Sequence, residues 1–518
     1  MLSLLTTPLG ITLPEGFSPH LQVMMPEFIV AGAGLAAILP ELVMPAGRRA
    51  AATAWTSMAG LLIAFVLLVM TGPSELLGLE VRGADGELIS GWRADAFSVY
   101  CRAVICAGGA LLVLLSMPFT NRMDRGHGEF YAIMLFALLG CMLVCGVSDM
   151  LSLFICLELV TIMAYILAAF RRNQLQSTEA GLKYLIIGAV STAILMLGIA
   201  LIYGSTGSLS FEAIAQHVAG GPPGALMVVG IAMVLVGLFF KIGGVPFQVW
   251  IPDVYEGAPS PVTAFLITAS KFAGVVLVIR FAEAAILPGL GVEGAFPWVA
   301  LIGAAAIVTL LFGVLGAIPQ RSLKRLLAYS SIGHAGYLLI GVAAFVSEGG
   351  AEKATAALLY YMMAYFATSV TAFLVIVVVS GAAHDDHRNA FRGLSKRSPF
   401  LALAMALSLF SLAGVPPMSG FFGKFLILFS AVDKGLYVLA FVGAVAVIVS
   451  LYFYMLWIKE MYIKEPDETS KPDSIAVTPM VRGVLLVGMA AMLLMGMYMG
   501  PFYGWVSDAA QSIAAFGG

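Results

Sequence analysis

Six ionisable side chains lie within long apolar stretches of the sequence. They are Glu158, Lys183, Lys241, Lys271, His334 and Lys424. An ionisable group at the centre of a lipid bilayer costs about 2.5–3.5 kcal/mol on insertion scales, so such groups face the protein interior and mark ion or proton pathways. A nearby carboxylate stabilises a buried ammonium, and moving that carboxylate can make the lysine release its proton. Several lysines joined by water, with one glutamate and one histidine, therefore predict a proton relay.

Two other interpretations of Glu158, Lys241, Lys271 and Lys424 remain open. The four groups could form structural ion pairs, or their side chains could extend to the membrane interface. Lys183 lies only two turns into its predicted helix, where a lysine could reach the cytoplasmic interface. At 1.5 Å of rise per residue, its depth differs from that of Glu158 by roughly 9 Å.

His334 is also compatible with a structural role, as a neutral histidine packed beside Ser330 and Ser331. Glu27 and Asp149 lie near the ends of predicted membrane helices, where we expect them at the interface. Asp253 and Glu256 follow an apolar helix in a cytoplasmic loop. There we expect capping or docking, with a functional role as the alternative.

The composition places most of this chain in lipid. Of its 518 residues, 61% are hydrophobic and 11% are charged, and the mean hydropathy is +0.99. Soluble domains carry roughly 25% charged residues. The net charge of −2 gives no indication of a nucleic-acid partner. We predict no cleaved signal peptide in the first eighteen residues, because they lack a basic region and an A-x-A site.

No metal or cofactor site is predicted. The five cysteines lie in apolar runs without a CxxC pair, which is more typical of packing residues than of iron–sulfur or zinc ligands. The apolar segments also lack the cluster of acidic residues that calcium or magnesium would require. We likewise identify no catalytic residue.

About twenty apolar residues cross a bilayer as a helix. The chain has fourteen such segments, which predict an all-α integral membrane protein and are called spans 1 to 14 below. They cover residues 22–44, 52–71, 96–117, 130–147, 149–170, 178–204, 225–252, 261–284, 297–318, 323–346, 354–380, 400–431, 436–458 and 480–505.

The distribution of basic residues predicts the orientation. Segments after odd-numbered spans hold 17 Lys and Arg residues, and segments after even-numbered spans hold 6. Because cytoplasmic loops carry the excess of basic residues, the odd loops face the cytoplasm and both termini face outward. In a bacterium this predicts a multi-pass inner-membrane protein with periplasmic termini.

Two spans are too long and contain helix-breaking motifs. Gly243-Gly244-Val245-Pro246 interrupts span 7, and Gly414-Val415-Pro416-Pro417 interrupts span 12. The interrupted spans are five apart, so a repeat of spans 4–8 by spans 9–13 would be inverted in the membrane, as in many transporters. We therefore predict four units: residues 1–128 (spans 1–3), 129–290 and 291–463 (two inverted five-helix repeats), and 464–518 (a polar linker and span 14).

Five sequence runs carry a resemblance to a known family. They are LFICLELVTIMAYILAAF (153–170), EAGLKYLIIGAVSTA (179–193), PFQVWIPDVYEGAPSPVTAFL (246–266), LKRLLAYSSIGHAGYLLIG (323–341) and GVPPMSGFFGKF (414–425). They resemble the proton-conducting, antiporter-like membrane subunits of bacterial NADH:quinone oxidoreductase, respiratory complex I. PDVYEGAP followed by a helix with a central lysine is highly specific to this family, and GFFGK is less so.

The resemblance implies a fourteen-helix subunit with two inverted five-helix bundles. It assigns Glu158 and Lys183 to the family's helix 5 carboxylate and helix 6 lysine. Lys241, Lys271 and Lys424 match the lysines of helices 7, 8 and 12. His334 matches a position on the axis that connects the sites and is often histidine.

Two positions refine the resemblance. The lysine at position 424 resembles the pattern of the N and L subunit types rather than that of the M type. The L type also has a long lateral helix, for which 518 residues leave no room. The family commonly has PFHxW after the helix 7 break, whereas this chain has Gln248. Because glutamine does not titrate, we expect only hydrogen bonding or water positioning there.

The resemblance also implies partners and a function. The chain would be a proton-translocating subunit of a multi-subunit oxidoreductase, in contact with other membrane-arm subunits and with lipid. NADH and quinone would be used by the complex, with no redox centre in this chain. The alternatives are a subunit of an Mrp-type cation/proton antiporter, a membrane subunit of a related hydrogenase, and an anchor with assembly duties only.

Overall fold

The computed structural model describes residues 23–76, 92–383, 386–466 and 474–514. Within these ranges the secondary structure is helical apart from turns and three isolated bridges. The first eighteen residues, where we predict no signal peptide, lie outside the described residues, as do residues 467–473 of the polar linker before span 14.

Thirteen helices in the described ranges are long and apolar enough to cross a membrane, and the predicted span 12 consists of two shorter helices. This confirms the predicted membrane fold of about fourteen spans. The helices, in chain order, are Met25–Ala36 with Leu39–Val43 (span 1), Ala46–Leu76, Ala96–Thr120, His127–Leu143, Met150–Ala168, Leu175–Thr206, Ala225–Ile242 with Trp250–Gly257 (span 7), Ser260–Phe265 with Lys271–Ala285 (span 8), Trp298–Ala317, Leu323–Phe345, Ala351–Ala383, Pro399–Ala413 with Ser419–Asp433 (span 12), Tyr437–Tyr462 and Pro479–Met497.

Three spans form the centre of the molecule. The most apolar stretches of spans 8, 10 and 11 are 100%, 94% and 89% buried, whereas that of span 6 is 28% buried. Leucine, isoleucine and valine side chains on the outer spans are exposed, as a lipid-facing surface requires. Lys271 on span 8 and His334 on span 10 therefore lie in the protein interior rather than against lipid.

Both predicted helix interruptions are present. The first helix of span 7 ends at Ile242, where Gly243 adopts a left-handed φ of 84°. The second helix of the span is Trp250–Gly257. The first helix of span 12 ends at Ala413, where Gly414 has a φ of 86°, and the second helix begins at Ser419. A residue with a Cβ rarely adopts this conformation, which explains a glycine at each break.

Other helix ends differ from the prediction. Span 8 contains a π-helical turn, Leu266–Ser270, directly before Lys271. Span 14 ends at Met497 and a separate helix, Met499–Ala514, follows it. The proline ring of Pro501 would clash with the carbonyl four residues earlier in a continuous helix, so the chain must break there.

The terminal helix Met499–Ala514 packs against the beginning of span 3. The hydroxyl oxygen of Ser512 accepts a hydrogen bond from the Phe97 backbone N–H at 3.1 Å. The rings of Tyr100 and Trp505 meet edge to face at 5.3 Å. These contacts fix the last described helix to the first third of the chain.

Buried ion pairs hold spans 1, 3 and 8 together on one side of the molecule. Arg102 on span 3 pairs with Glu27 on span 1 at 3.2 Å, and both side chains are almost fully buried. We expected Glu27 near the end of span 1 and did not foresee its buried arginine partner. Arg280 on span 8 contacts Asp95 at 2.6 Å. Burial raises the pKa of Asp95, but Arg280 and Arg93 outweigh it and lower that pKa to about 2.

Candidate functional site

Lys271 is buried against span 10. Its amine donates to the backbone oxygen of Ser331 at 2.6 Å and to the Ser331 hydroxyl at 2.5 Å. The side chain is 1% exposed. Among the described residues no carboxylate contacts this amine, so Lys271 can gain and lose a proton without breaking an ion pair there.

His334 lies one turn after Ser331 on the same face of span 10. Its Nδ1 atom is hydrogen-bonded to the hydroxyl of Tyr361, and its ring lies 4.7 Å from that of Tyr365. The Lys271 amine lies 5.9 Å from the centre of the same Tyr365 ring. Serine, histidine and two tyrosines thus form a polar region inside the central helices.

Lys424 reaches this region from span 12. Its amine donates to the carbonyl oxygens of Leu412 and Ala413 at 2.7 and 3.1 Å, which are the last carbonyls before the break. A cavity of about 10 Å³ lies between Lys424 and His334, close to the volume that one water molecule needs. Lys271 and His334 therefore both lie beside the Tyr365 ring, and His334 and Lys424 line the same small cavity.

Lys241 lies in the last turn of the first half of span 7. Its amine donates to the Thr161 hydroxyl on span 5 at 3.3 Å. Glu158, one turn before Thr161, accepts a hydrogen bond from the Thr192 hydroxyl on span 6 at 2.8 Å. The Lys241 amine thus contacts span 5 one turn from Glu158.

Lys183 has partners other than Glu158. Its amine contacts Asp253 at 2.8 Å and Glu179 at 2.7 Å, and its side chain is 42% exposed. Asp253 also contacts Arg325, at 3.0 Å. Glu158 and Lys183 do not contact each other directly. Since Glu158 lies at the level of Thr192, nine residues from Lys183, the difference in depth is roughly 13 Å.

We expected Asp253 to act in capping or docking, and the contacts show an ion-pair network. The Arg325 side chain joins Asp253 to Glu256, which it contacts at 2.7 Å. Although burial raises the pKa of Asp253, its hydrogen bonds to Lys183 and Arg325 lower that pKa overall. The PDVYEG motif contains both acidic residues and was the sequence signal for this network, but its basic partners are distant in sequence.

Each helix break lies next to a lysine. A methyl group on Gly243 would lie 3.9 Å from the Lys271 amine, and one on Gly414 would lie 3.7 Å from the Lys424 amine. Sequence reasoning explained these glycines only as helix breakers. The structure shows that a methyl group on Gly414 would also crowd Cδ of Lys424, at 3.2 Å, whereas one on Gly243 would overlap the Ile251 side chain.

Gln248 lies just after the break in span 7. It is 7% exposed, and its Oε1 atom is buried with no hydrogen-bond partner among the described residues. A buried acceptor of this kind is usually satisfied by ordered water. The geometry agrees with a water-positioning role for this residue.

A polar cavity of about 760 Å³ opens at the end of span 8 that begins at Ser260. Lys324 and Asp386, which pair at 2.7 Å, are among its lining residues. Span 8 leads from this cavity to Lys271. The cavity therefore brings solvent to one end of the helix that carries a buried lysine.

Residues 147–450 match the profile of the NADH:quinone oxidoreductase/Mrp antiporter transmembrane family. The match covers more than half of the chain and includes all six candidate residues. The chain belongs to this family.

Curated family members extend the similarity to nearly the whole chain. It is 38% identical to NADH-quinone oxidoreductase subunit N 2 of Rhizobium meliloti, over 95% of this chain and 97% of that protein. It is 37% identical to subunit N of Rhodospirillum rubrum, over 95% and 96%. The predicted resemblance to the N type of subunit is confirmed.

Solved structures of the family share the fold. A chain of respiratory complex I from Thermus thermophilus has 29% identity and a TM-score of 0.75, covering 92% of this chain and 98% of that one. A chain of the Mrp complex from Dietzia has a TM-score of 0.81 at 21% identity, covering 96% and 100%. At that identity the Mrp comparison shows the fold alone.

Proposed function

We propose that this chain is a proton-translocating membrane-arm subunit of NADH:quinone oxidoreductase. The observation that carries the proposal is the set of buried amines, Lys241, Lys271 and Lys424, each held by hydroxyl or carbonyl oxygens in the protein interior. Similarity to proteins named subunit N over 95% of the chain supports the assignment to the complex.

The proton path begins at the cavity beside Ser260. Protons enter from the cytoplasm towards Lys271, pass Lys241 and His334, and leave through Lys424 to the outside. The contact of Lys271 with Ser331, one turn before His334, and the small cavity lined by His334 and Lys424 support the part of this order from Lys271 through His334 to Lys424. Glu158 and Lys183 couple the path to neighbouring subunits through their charges.

The chain works within a larger assembly in the bacterial inner membrane, with both termini on the periplasmic side. NADH oxidation and quinone reduction take place on other subunits. This chain uses the energy released by those reactions to move protons. The excess of basic residues in the odd-numbered loops supports the orientation.

Residues 129–290 and 291–463 form two inverted repeats in this proposal. The support is that each contains one interrupted span, with a left-handed glycine at the break and a lysine amine beside it. Residues 1–128 and 464–518 are additions outside the repeats.

Replacing Lys241 with methionine tests the function. Methionine fills a similar volume without an ionisable group, so NADH-driven proton uptake by inverted membrane vesicles should be abolished while the complex still assembles. Lys353→Met is the matched control, because Lys353 is an exposed lysine that pairs with Asp433 at 3.3 Å. Undiminished uptake in Lys241→Met vesicles would refute the proposal.

An Mrp-type antiporter subunit is the second candidate, favoured by the family description and by the shared fold. The same fold occurs in the membrane-bound sulfane sulfur reductase, at a TM-score of 0.81 and 23% identity. Identification of the proteins that co-purify in mild detergent separates these assemblies. Proton uptake that requires a sodium gradient and not NADH would favour the antiporter.

A further inference from the structure

We propose that the hydroxyls of Tyr165 and Tyr184 form a hydrated link between Glu158 and Lys183. The inference deepens the proposed function, since it supplies a connection between two groups that the structure holds apart. It assigns a role in proton transfer to two tyrosines that are neither among the six candidate residues nor on the path described above.

The link is needed because Glu158 and Lys183 do not meet. Glu158 is bonded to Thr192 on span 6, and Lys183 lies nine residues earlier on the same span. At 1.5 Å per residue the two levels differ by roughly 13 Å, whereas a hydrogen bond spans about 3 Å. Asp253 and Glu179 hold Lys183 at its end of this gap.

Tyr165 occupies the middle of the gap. It lies on span 5 two turns after Glu158, in the direction of Lys183. Its hydroxyl packs against Gly188, where a methyl group would overlap it. Gly188 lies between Lys183 and Thr192, five residues from the former and four from the latter. Glycine at this position is what allows the hydroxyl to sit there.

Tyr184 continues the link towards Lys183, its neighbour in sequence. Its ring meets that of Tyr165 edge to face at 4.7 Å and stacks on the Trp250 indole at 4.3 Å. Trp250 lies three residues before Asp253 on the helix Trp250–Gly257. The aromatic cluster therefore extends from the middle of the gap to the helix that carries the Lys183 partner.

Three polar groups in this cluster have unused hydrogen-bonding capacity. The Tyr165 and Tyr184 hydroxyls and the Trp250 Nε1–H are buried, and none has a partner within the described part of the chain. A buried polar group left unpaired costs about 1–3 kcal/mol. Ordered water is the usual partner of such groups. The three groups belong to rings that contact one another in sequence, so water bound to them would lie along the gap.

A proton can cross this passage without a charged tyrosine. The Lys183 ammonium gives a proton to water, each tyrosine oxygen accepts a proton as it releases its own, and the Glu158 carboxylate accepts the last one. Lys183 is then a neutral amine and Glu158 a carboxylic acid, while both tyrosines and the water are restored. The reverse transfer restores the charges on Lys183 and Glu158.

The test compares Tyr165→Phe, Tyr184→Phe and the double variant in the assembled complex. Each retains the ring and removes only the hydroxyl. We expect the initial rate of NADH-driven proton uptake to fall at least about tenfold, because a positioned proton-transfer group contributes that much or more. The unfolding temperature should be unchanged or higher, since no protein hydrogen bond is lost. Tyr203→Phe, on an exposed residue of span 6, is the control.

The outcomes separate the link from the proposed function. Normal uptake in the double variant, with Lys241→Met inactive, would overturn the link and leave the proposed function in place. A loss of uptake that follows a lower unfolding temperature would show a packing role and also overturn the link. Uptake by Lys241→Met itself would refute the proposed function, whatever the tyrosine variants do.

Discussion

The amine of Lys183 lies 2.8 Å from a carboxylate oxygen of Asp253. This ion pair joins span 6 to the short helix that follows the break in span 7. Arg325 on span 10 contacts the same carboxylate at 3.0 Å, so three separate parts of the membrane domain meet at one acidic side chain. A movement of the short helix would change the charge around Lys183.

Asp253→Asn should slow NADH-driven proton uptake while the complex still assembles. The pair is partly exposed, and such pairs contribute up to about 1 kcal/mol, which corresponds to about a fivefold change in a population. Asp253 stabilises the fold in its ionised form, above its ordinary pKa of 3.8, and loses that effect only in acid because the folded-state pKa is lower. We therefore expect the same relative loss from pH 6 to pH 8. Glu179→Gln removes the other partner of Lys183 and serves as the comparison; equal uptake by wild type and Asp253→Asn would contradict the prediction.

Gly414→Ala should reduce both stability and proton uptake. A residue with a Cβ at a φ of 86° is strained by about 1–2 kcal/mol. The new methyl group would also lie 3.2 Å from Cδ of Lys424 and displace that side chain. Gly435→Ala is the matched control, because Gly435 has a φ of 71° and open space at its Cβ position. The unfolding temperature should fall in both variants, whereas the rate of proton uptake should fall only in Gly414→Ala. Unchanged proton uptake in Gly414→Ala would show that Lys424 tolerates displacement.

Glu27→Gln should lower the unfolding temperature of the complex in detergent. It leaves the buried Arg102 guanidinium without its counter-charge, and breaking a buried pair typically costs about 3–5 kcal/mol. Glu352→Gln changes an exposed glutamate at the start of span 11 and should have no measurable effect. Unfolding curves that coincide for wild type and Glu27→Gln would mean that other groups stabilise Arg102.

Gln248→Leu should affect proton uptake much less than Lys241→Met. The glutamine amide cannot carry a proton, and its buried oxygen has no partner in the described part of the chain. Initial uptake rates in vesicles from the two variants, normalised to NADH oxidation, provide the measurement. A complete loss in Gln248→Leu would show that ordered water at this position is essential.

Much of the fold could be predicted from local sequence. Span positions follow from runs of apolar residues, and the breaks near Gly243 and Gly414 follow from adjacent proline. The π-helical turn before Lys271 has no comparable signal, because Leu266–Ser270 contains neither glycine nor proline. The end of span 14 depended on Pro501, whose effect is local and could have been recognised.

The candidate site was predicted by residue type more accurately than by contact. Burial of Lys241, Lys271 and Lys424 follows from their position within apolar spans. The acceptors of Lys241 and Lys271 lie on other spans, and those of Lys424 are carbonyls on the far side of the break in span 12. No spacing rule identifies these acceptors. The pairing of Lys183 with Asp253 joins residues 70 positions apart. The sequence did not predict this pair, because Asp253 follows the break in span 7 and the break places the short helix beside span 6.

The contact between Phe97 and Ser512 joins residues 415 positions apart. At a synthesis rate of about 5–20 residues per second, the acceptor emerges from the ribosome roughly 20 to 80 seconds after the donor. Span 3 must therefore wait in the bilayer with one side uncovered while the rest of the polypeptide is inserted. Chaperones or neighbouring subunits that shield this side during biogenesis would act in that interval, and a nascent chain that stops early would never close it.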